Sequence, residues 1–497
     1  MALAPNVATS AGPDAGGTDG RSRGSTLVVL VLAFAVFFLL GGVTNINDLL
    51  VGKFKSMFHL THAQANLVQM AFFIAYGAFS IPAGIIMSKL GYIRTFVLGF
   101  VIIAAAAFLF VPASAAASYP GFLAALFCIG AGITVLQVAM NPVITTLGPA
   151  RTSHSRLTFA QAFNSVGVFL MVYGGATFLL GDGKPLDPET STDVQIQAYR
   201  VAEGASIGTA YMWLGILMLV IAAIFWFNRS ALDHAKADAM KLEGTWDLLT
   251  HNRRVQLGAL CIFVYVGAEV AIGSNLIAYL GDQSVMGLGL QAAGKLVAIY
   301  WLGALIGRIL GGFILRTSVV KMPFVILSGI AVGAAVINLI NQQNFGALAM
   351  LAGLCAIIYG LFFAIHRLEQ LLQLDKQEAV APGKILSAFA LGAIGLVVLS
   401  AVTTGALSGW ALILVGFCNS LMFPTIFSLG TEGLGDRTPQ ASGILCTAII
   451  GGAIVPFLFG LVADIDLRLA LAVPLVCYAI IAGFGLWAAR QQAAASA

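Results

Sequence analysis

Residues 26–50 read TLVVLVLAFAVFFLLGGVTNINDLL. From Leu27 to Val43 no side chain carries a charge or a hydroxyl. That run is close to the roughly 20 residues a helix needs to cross hydrocarbon at about 1.5 Å per residue. Thr44, Asn45, Asn47 and Asp48 follow at once, still before the apolar residues Leu49, Leu50 and Val51. An apolar helix that keeps two amides and a carboxylate near its end is costly in lipid, and such residues ordinarily face a cavity.

Working outward, the same pattern recurs along the chain. Apolar runs lie near 26–50, 64–87, 93–112, 120–147, 157–180 and 207–228, and again near 255–280, 292–315, 322–340, 345–366, 384–404, 409–431, 440–463 and 468–489. Of 497 residues 59% are hydrophobic and 9% charged, against about 25% charged in soluble domains. Runs of this length suit helices, not the alternating short strands of a barrel. The expected class is therefore all-α and polytopic, with about 14 spans in a lipid bilayer.

Residues 1–25 form a polar, small-residue tail with no Lys or Arg before Arg21, so the first run is kept as a span and not as a cleaved signal. The domain plan is a disordered tail at 1–25, a first bundle at 26–228, a charged linker at 229–254, a second bundle at 255–490 and a tail at 491–497. With the N-terminus inside, 18 Lys or Arg fall in inner loops and six in outer loops, leaving Arg308 within a span. That bias places both termini in the cytoplasm and the protein in the inner (plasma) membrane. The linker reads as a solvated amphipathic helix.

The halves are related. Met140-Asn141-Pro142-Val143-Ile144-Thr145-Thr146-Leu147-Gly148 aligns with Met422-Phe423-Pro424-Thr425-Ile426-Phe427-Ser428-Leu429-Gly430, five of nine identical at an offset of 282. Ala83–Lys89 aligns with Gly311–Thr317 at an offset of 228. The second half therefore carries about 54 extra residues between these landmarks, room for one more helical pair at about 20 residues per span. The plan becomes six helices followed by six with a pair inserted at about 317–382.

Several stretches resemble one family. Asn45-Ile46-Asn47-Asp48-Leu49-Leu50, Leu136-Gln137-Val138-Ala139-Met140-Asn141-Pro142 and Gln161-Ala162-Phe163-Asn164 are similar to motifs of the fucose/galactose/glucose proton symporters of the major facilitator superfamily. Val264–Glu269, Asn419–Thr425 and Gly443–Cys446 resemble the same family's second-half motifs. The resemblance covers roughly 27–316 and 383–485. It implies a major facilitator fold of two six-helix bundles and sugar import by proton symport through alternating access. Fucose permeases hold a carboxylate where this chain has Gln137, which favours the glucose/galactose branch.

Asp48 and Glu269 are the expected proton-coupling residues, as the carboxylates lying within spans. Asn45, Gln137, Asn141, Gln161, Asn164 and Asn419 are the expected substrate ligands, because a carboxamide both donates and accepts, as sugar hydroxyls require. Trp301 and Tyr300 offer either an aromatic face for a sugar ring or anchors at the membrane interface. The plainer alternatives are interhelical amide bonds, an Asp48 exposed at the helix end, and a Glu269 paired with Arg308.

No phosphate-binding Gly-x-x-x-x-Gly-Lys-Ser/Thr occurs, and the six cysteines fall in apolar runs without metal-ligand spacing. The expectation is thus no enzyme, no cofactor, no metal site, no nucleic-acid partner and a monomer. Sodium coupling, an N-acetylglucosamine-like amino sugar, a non-transporting sugar sensor and an exporter of sugars or drugs stay open as alternatives.

Overall fold

The computed structural model describes residues 34–146, 153–180, 191–229, 245–314, 382–434 and 437–496. Twelve helices among them are long and apolar enough to cross a membrane. They are α1 Phe34–Phe58, α2 His62–Leu90, α3 Tyr92–Ala115, α4 Tyr119–Met140, α5 Phe163–Leu180, α6 Asp193–Phe227, α7 Arg253–Gly281, α8 Leu290–Arg308, α9 Pro382–Val402, α10 Gly405–Thr431, α11 Gln440–Ala463 and α12 Leu469–Gln491. No strand occurs among the described residues. The expected inserted pair, at about 317–382, lies outside the described residues apart from Pro382.

The α1–α2 turn defines an upper face and the α2–α3 turn a lower one. Two helix boundaries differ from the sequence expectation. Helix α1 continues to Phe58 through Lys53 and Lys55, because buried Lys53 is neutralised by Glu203 of α6 and donates to the Leu180 carbonyl. Helix α6 begins at Asp193, before its apolar run, where Thr192 and Gln195 form a reciprocal capping box. Of the linker, the described part is a short helix, Thr245–His251, whose Leu248 is buried against Val255 and Ala441.

Each half packs internally: α3 against α4 and α6 in the first, α9 against α10 and α12 in the second. Across the halves α2 meets α11, α5 meets α8 and α1 meets α7. Exchanging the halves turns the α2–α11 contact into the α8–α5 contact and maps α1–α7 onto itself. That is the pairing a duplicated bundle related by a two-fold axis must produce. The outward faces of α3, α6, α9 and α12 expose Val101, Leu109, Trp213, Val220, Leu391, Val398, Val476 and Leu486, a lipid-compatible belt.

Glycine sets the closest approach in the first half. A Cβ on Gly167 of α5 would sit 1.8 Å from the Phe38 carbonyl oxygen of α1, and one on Gly41 would sit 2.1 Å from that of Asn164. Backbones this close hold the two helices that carry Asn45 and Asn164 in one wall.

Candidate functional site

The inner helices are interrupted at mid-depth. Helix α1 breaks at Ile46, and α10 breaks at Ser420–Leu421 just before Pro424, which has no N–H to give the Ser420 carbonyl. Helix α11 tightens to a 3-10 turn at Ala448–Ile450, while α5 widens to a π-turn only at its upper end, Ala176–Leu180. Such breaks are tolerated within a membrane only where protein or a cavity receives the backbone.

A cavity of about 170 Å³ lies between the halves at this depth. Asn45, Gln137, Gln161 and Asn164 line it from the first half, and Glu269, Trp301 and Arg308 from the second, with Phe73, Tyr76, Phe423 and Phe427 as aromatic walls. Four of the six expected ligands therefore converge. Asn45 Nδ2 donates to the Gly41 carbonyl at 2.9 Å and Asn164 Nδ2 to that of Phe37 at 3.1 Å, bonds that use neither amide's oxygen. The Asn141 side chain lies outside the described residues.

Asn419 is placed differently. It is fully buried, and its side chain donates to Tyr300 Oη at 2.8 Å and accepts from Tyr478 Oη at 2.8 Å. It lies behind the cavity wall, where it orients Tyr300, whose hydroxyl in turn donates to the Glu269 carbonyl at 3.0 Å. The repeat offset of 282 sets Asn419 opposite Gln137, a cavity residue. The tyrosines of α8 and α12, which only packing reveals, take both ends of its amide.

Asp48 is not exposed at a helix end. It is 2% accessible and sits above the cavity, in the seam between the halves. Its Oδ1 accepts from Gln69 Nε2 at 2.9 Å and Ser274 Oγ at 2.8 Å, and its Oδ2 accepts from Trp301 Nε1 at 2.9 Å. Trp301 is thus shared, with its ring on the cavity and its N–H on the carboxylate. Sequence reading passed over Gln69, Ser274 and the neighbouring pair Asn66 and Asn275, which exchange bonds of 2.9 and 3.1 Å. The signal was present: all four are polar residues inside apolar runs, the criterion that picked out Asp48. Above them the Asp464 carboxylate of α11 accepts from the His62 and Ala63 backbone N–H groups at 2.5 and 3.2 Å, capping α2 from the opposite half.

Glu269, 8% accessible, lies 2.7 Å from the Tyr265 hydroxyl. Arg308 makes no ion pair with it; its Nη1 crosses to Ser165 Oγ of α5 at 2.6 Å. Among the described residues no group of His, Cys, Asp and Glu could hold a metal ion.

Two duplicated helical bundles closing on a polar cavity at mid-membrane, with carboxylates in the seam, define a secondary transporter of the alternating-access type. The profile of the Major Facilitator Superfamily matches residues 27–368. The chain is 35% identical to the glucose/galactose transporter of Brucella abortus over 470 residues, 94% of each chain. It is 30% identical to the L-fucose-proton symporter of Escherichia coli K12 over 475 residues, 93% of each. The crystal structure of the transporter FucP in its outward conformation superposes with a TM-score of 0.63 at 29% identity, covering 93% of this chain and 99% of that one. The chain belongs to the major facilitator superfamily and, within it, to the family of the glucose/galactose transporters and fucose–proton symporters.

Proposed function

We propose that this protein imports a neutral hexose of the glucose or galactose type by proton symport. The observation that carries the reading is the convergence of Asn45, Gln137, Gln161 and Asn164 on one cavity that also contains Glu269 and touches Asp48 through Trp301. Amides can satisfy ring hydroxyls as donors and acceptors, while Trp301 and Tyr76 offer flat apolar faces for the ring. Gln137 keeps that wall uncharged, the feature by which the sequence resemblance favours the glucose/galactose branch. The fucose relative is a proton symporter by name, which favours the proton over sodium as the coupling ion.

In this reading Asp48 is the coupling site. Protonation cancels the charge that Gln69, Ser274 and Trp301 hold, loosens the seam on the upper face and lets sugar enter. With sugar bound the face closes over the neutral carboxyl, the proton leaves toward the lower side, and the ionised carboxylate then takes up the three bonds again. The basic loops favour the lower face and both termini being cytoplasmic, and the residues at about 317–382 form a helical pair packed beside the second bundle.

The test uses the purified protein in proteoliposomes with a radiolabelled hexose panel. Asp48→Asn should keep sugar counterflow and lose accumulation driven by a pH gradient. Unchanged pH-driven accumulation in that variant, or no hexose counterflow in the wild type, overturns the reading.

A further inference from the structure

Above the cavity the halves are tied by the Asp48, Asn66 and Asp464 bonds. At the depth of the cavity, the cross-half hydrogen bond among the described residues is the one from Arg308 to Ser165. Ser165 gives its own proton to the Gln161 carbonyl at 3.0 Å, so its oxygen is free to accept from the guanidinium. The state of Glu269 bears on this bond through Tyr265. That hydroxyl is 2.7 Å from Glu269 Oε1 and 3.0 Å from the Asn419 carbonyl oxygen, yet it has one proton. Both contacts are filled only when Glu269 is neutral: its carboxyl O–H donates to Tyr265 Oη, and Tyr265 donates to Asn419. An ionised Glu269 turns one of them into a contact between lone pairs and frees a carboxylate on the cavity wall.

The cation in that wall is Arg308. Helical side chains lean toward the helix N-terminus, which for α8 is the upper end, so Arg308 extends toward Glu269. We propose that Arg308 is a proton-controlled clamp between the halves. It is bonded to Ser165 of the first half while Glu269 holds a proton, and drawn onto Glu269 of its own half once that proton has passed to cavity water. Release of the proton thereby breaks this tie across the cavity and lets the lower face open. Tyr265 is the positioning residue that holds neutral Glu269 away from Arg308. The other titratable groups facing Glu269 or sharing its cavity are Asp48 on α1, Tyr76 on α2, Tyr300 on α8, Cys446 on α11 and Tyr478 on α12. Arg308 is the cation among them.

The inference rests on the transport reading but is tested apart from it. Spin labels at Leu90→Cys and Lys384→Cys, both exposed on the lower face, report the distance between halves in nanodiscs across a pH series. The wild type should show a longer-distance population that grows as pH rises. Glu269→Gln, whose amide can still donate to Tyr265, should hold the short distance at every pH. Ser165→Ala and Arg308→Gln should populate the long distance even at acid pH, and Arg308→Lys should restore part of the switch. A pH-dependent distance that persists in Glu269→Gln, or a Ser165→Ala profile identical to wild type, overturns the clamp. Absent hexose counterflow with an intact distance switch would sink the sugar reading and leave the clamp standing.

Discussion

Ser274→Ala is the sharpest probe of the upper seam. Ser274 is 1% accessible, accepts from Gln69 Nε2 at 2.7 Å and donates to Asp48 Oδ1 at 2.8 Å across the halves. Alanine removes one oxygen and leaves almost the same volume, so packing loss is small. A hydrogen bond to an ionised acceptor contributes about 1.5–3 kcal/mol, and one to a neutral acceptor about 0.5–1.5 kcal/mol. With Asp48 ionised, the ratio of open to closed upper face should rise roughly 10- to 150-fold, at about 1.4 kcal/mol per tenfold. With Asp48 protonated the same substitution should shift it only about 2- to 12-fold. Spin labels at Val194 and Ile465, exposed on the upper face of the first and second halves, would measure that ratio at alkaline and acid pH. An unchanged distance distribution, or an effect as large in acid as in alkali, would refute the role given to the Asp48 cluster.

Asn419→Ala should leave the Tyr300 and Tyr478 hydroxyls without their amide partner, at about 1–3 kcal/mol each, and lower the melting temperature in detergent. Gly167→Ala places a methyl 1.8 Å from the Phe38 carbonyl, so α1 and α5 must separate; expression as a monodisperse species should collapse, while Gly395→Ala, with open space around it, should be tolerated. On the lower surface the Arg437 guanidinium, 2.9 Å from Asp247, holds that carboxyl below the ordinary value of 3.8. Its folded-state value is depressed, so its contribution is present above about pH 4 and lost as pH falls through the depressed value. Hydrogen exchange of the Thr245–His251 helix should therefore be faster at pH 2.5 than at pH 6 after correction for intrinsic rates, and Asp247→Asn should remove the difference.

Much of the fold was legible because lipid imposes a local rule. Each span must satisfy its own backbone, so run length by itself locates helices such as α3 and α11. Boundaries failed where a polar pair extended a helix past its apolar run: the Lys53–Glu203 contact joins residues 150 apart in sequence and cannot be read from either neighbourhood. At the site, Asn45, Gln137, Gln161 and Asn164 were legible because a carboxamide in a span must face a cavity or another amide. Asn419 satisfied the same rule by the other route, in a knot of tyrosines.

The sequence by itself determined that this chain is a duplicated helical transporter with carboxylates inside its spans, since the cost of polar groups in hydrocarbon acts residue by residue. The tertiary structure decided what each carboxylate does. Asp48 takes its Gln69 bond from its own half and its Ser274 and Trp301 bonds from the other, while Glu269 shares one hydroxyl with a carbonyl of α10. Those partners come from helices up to 253 residues away in the chain, and a hydrogen bond's direction and its single proton exist only once such helices are in contact.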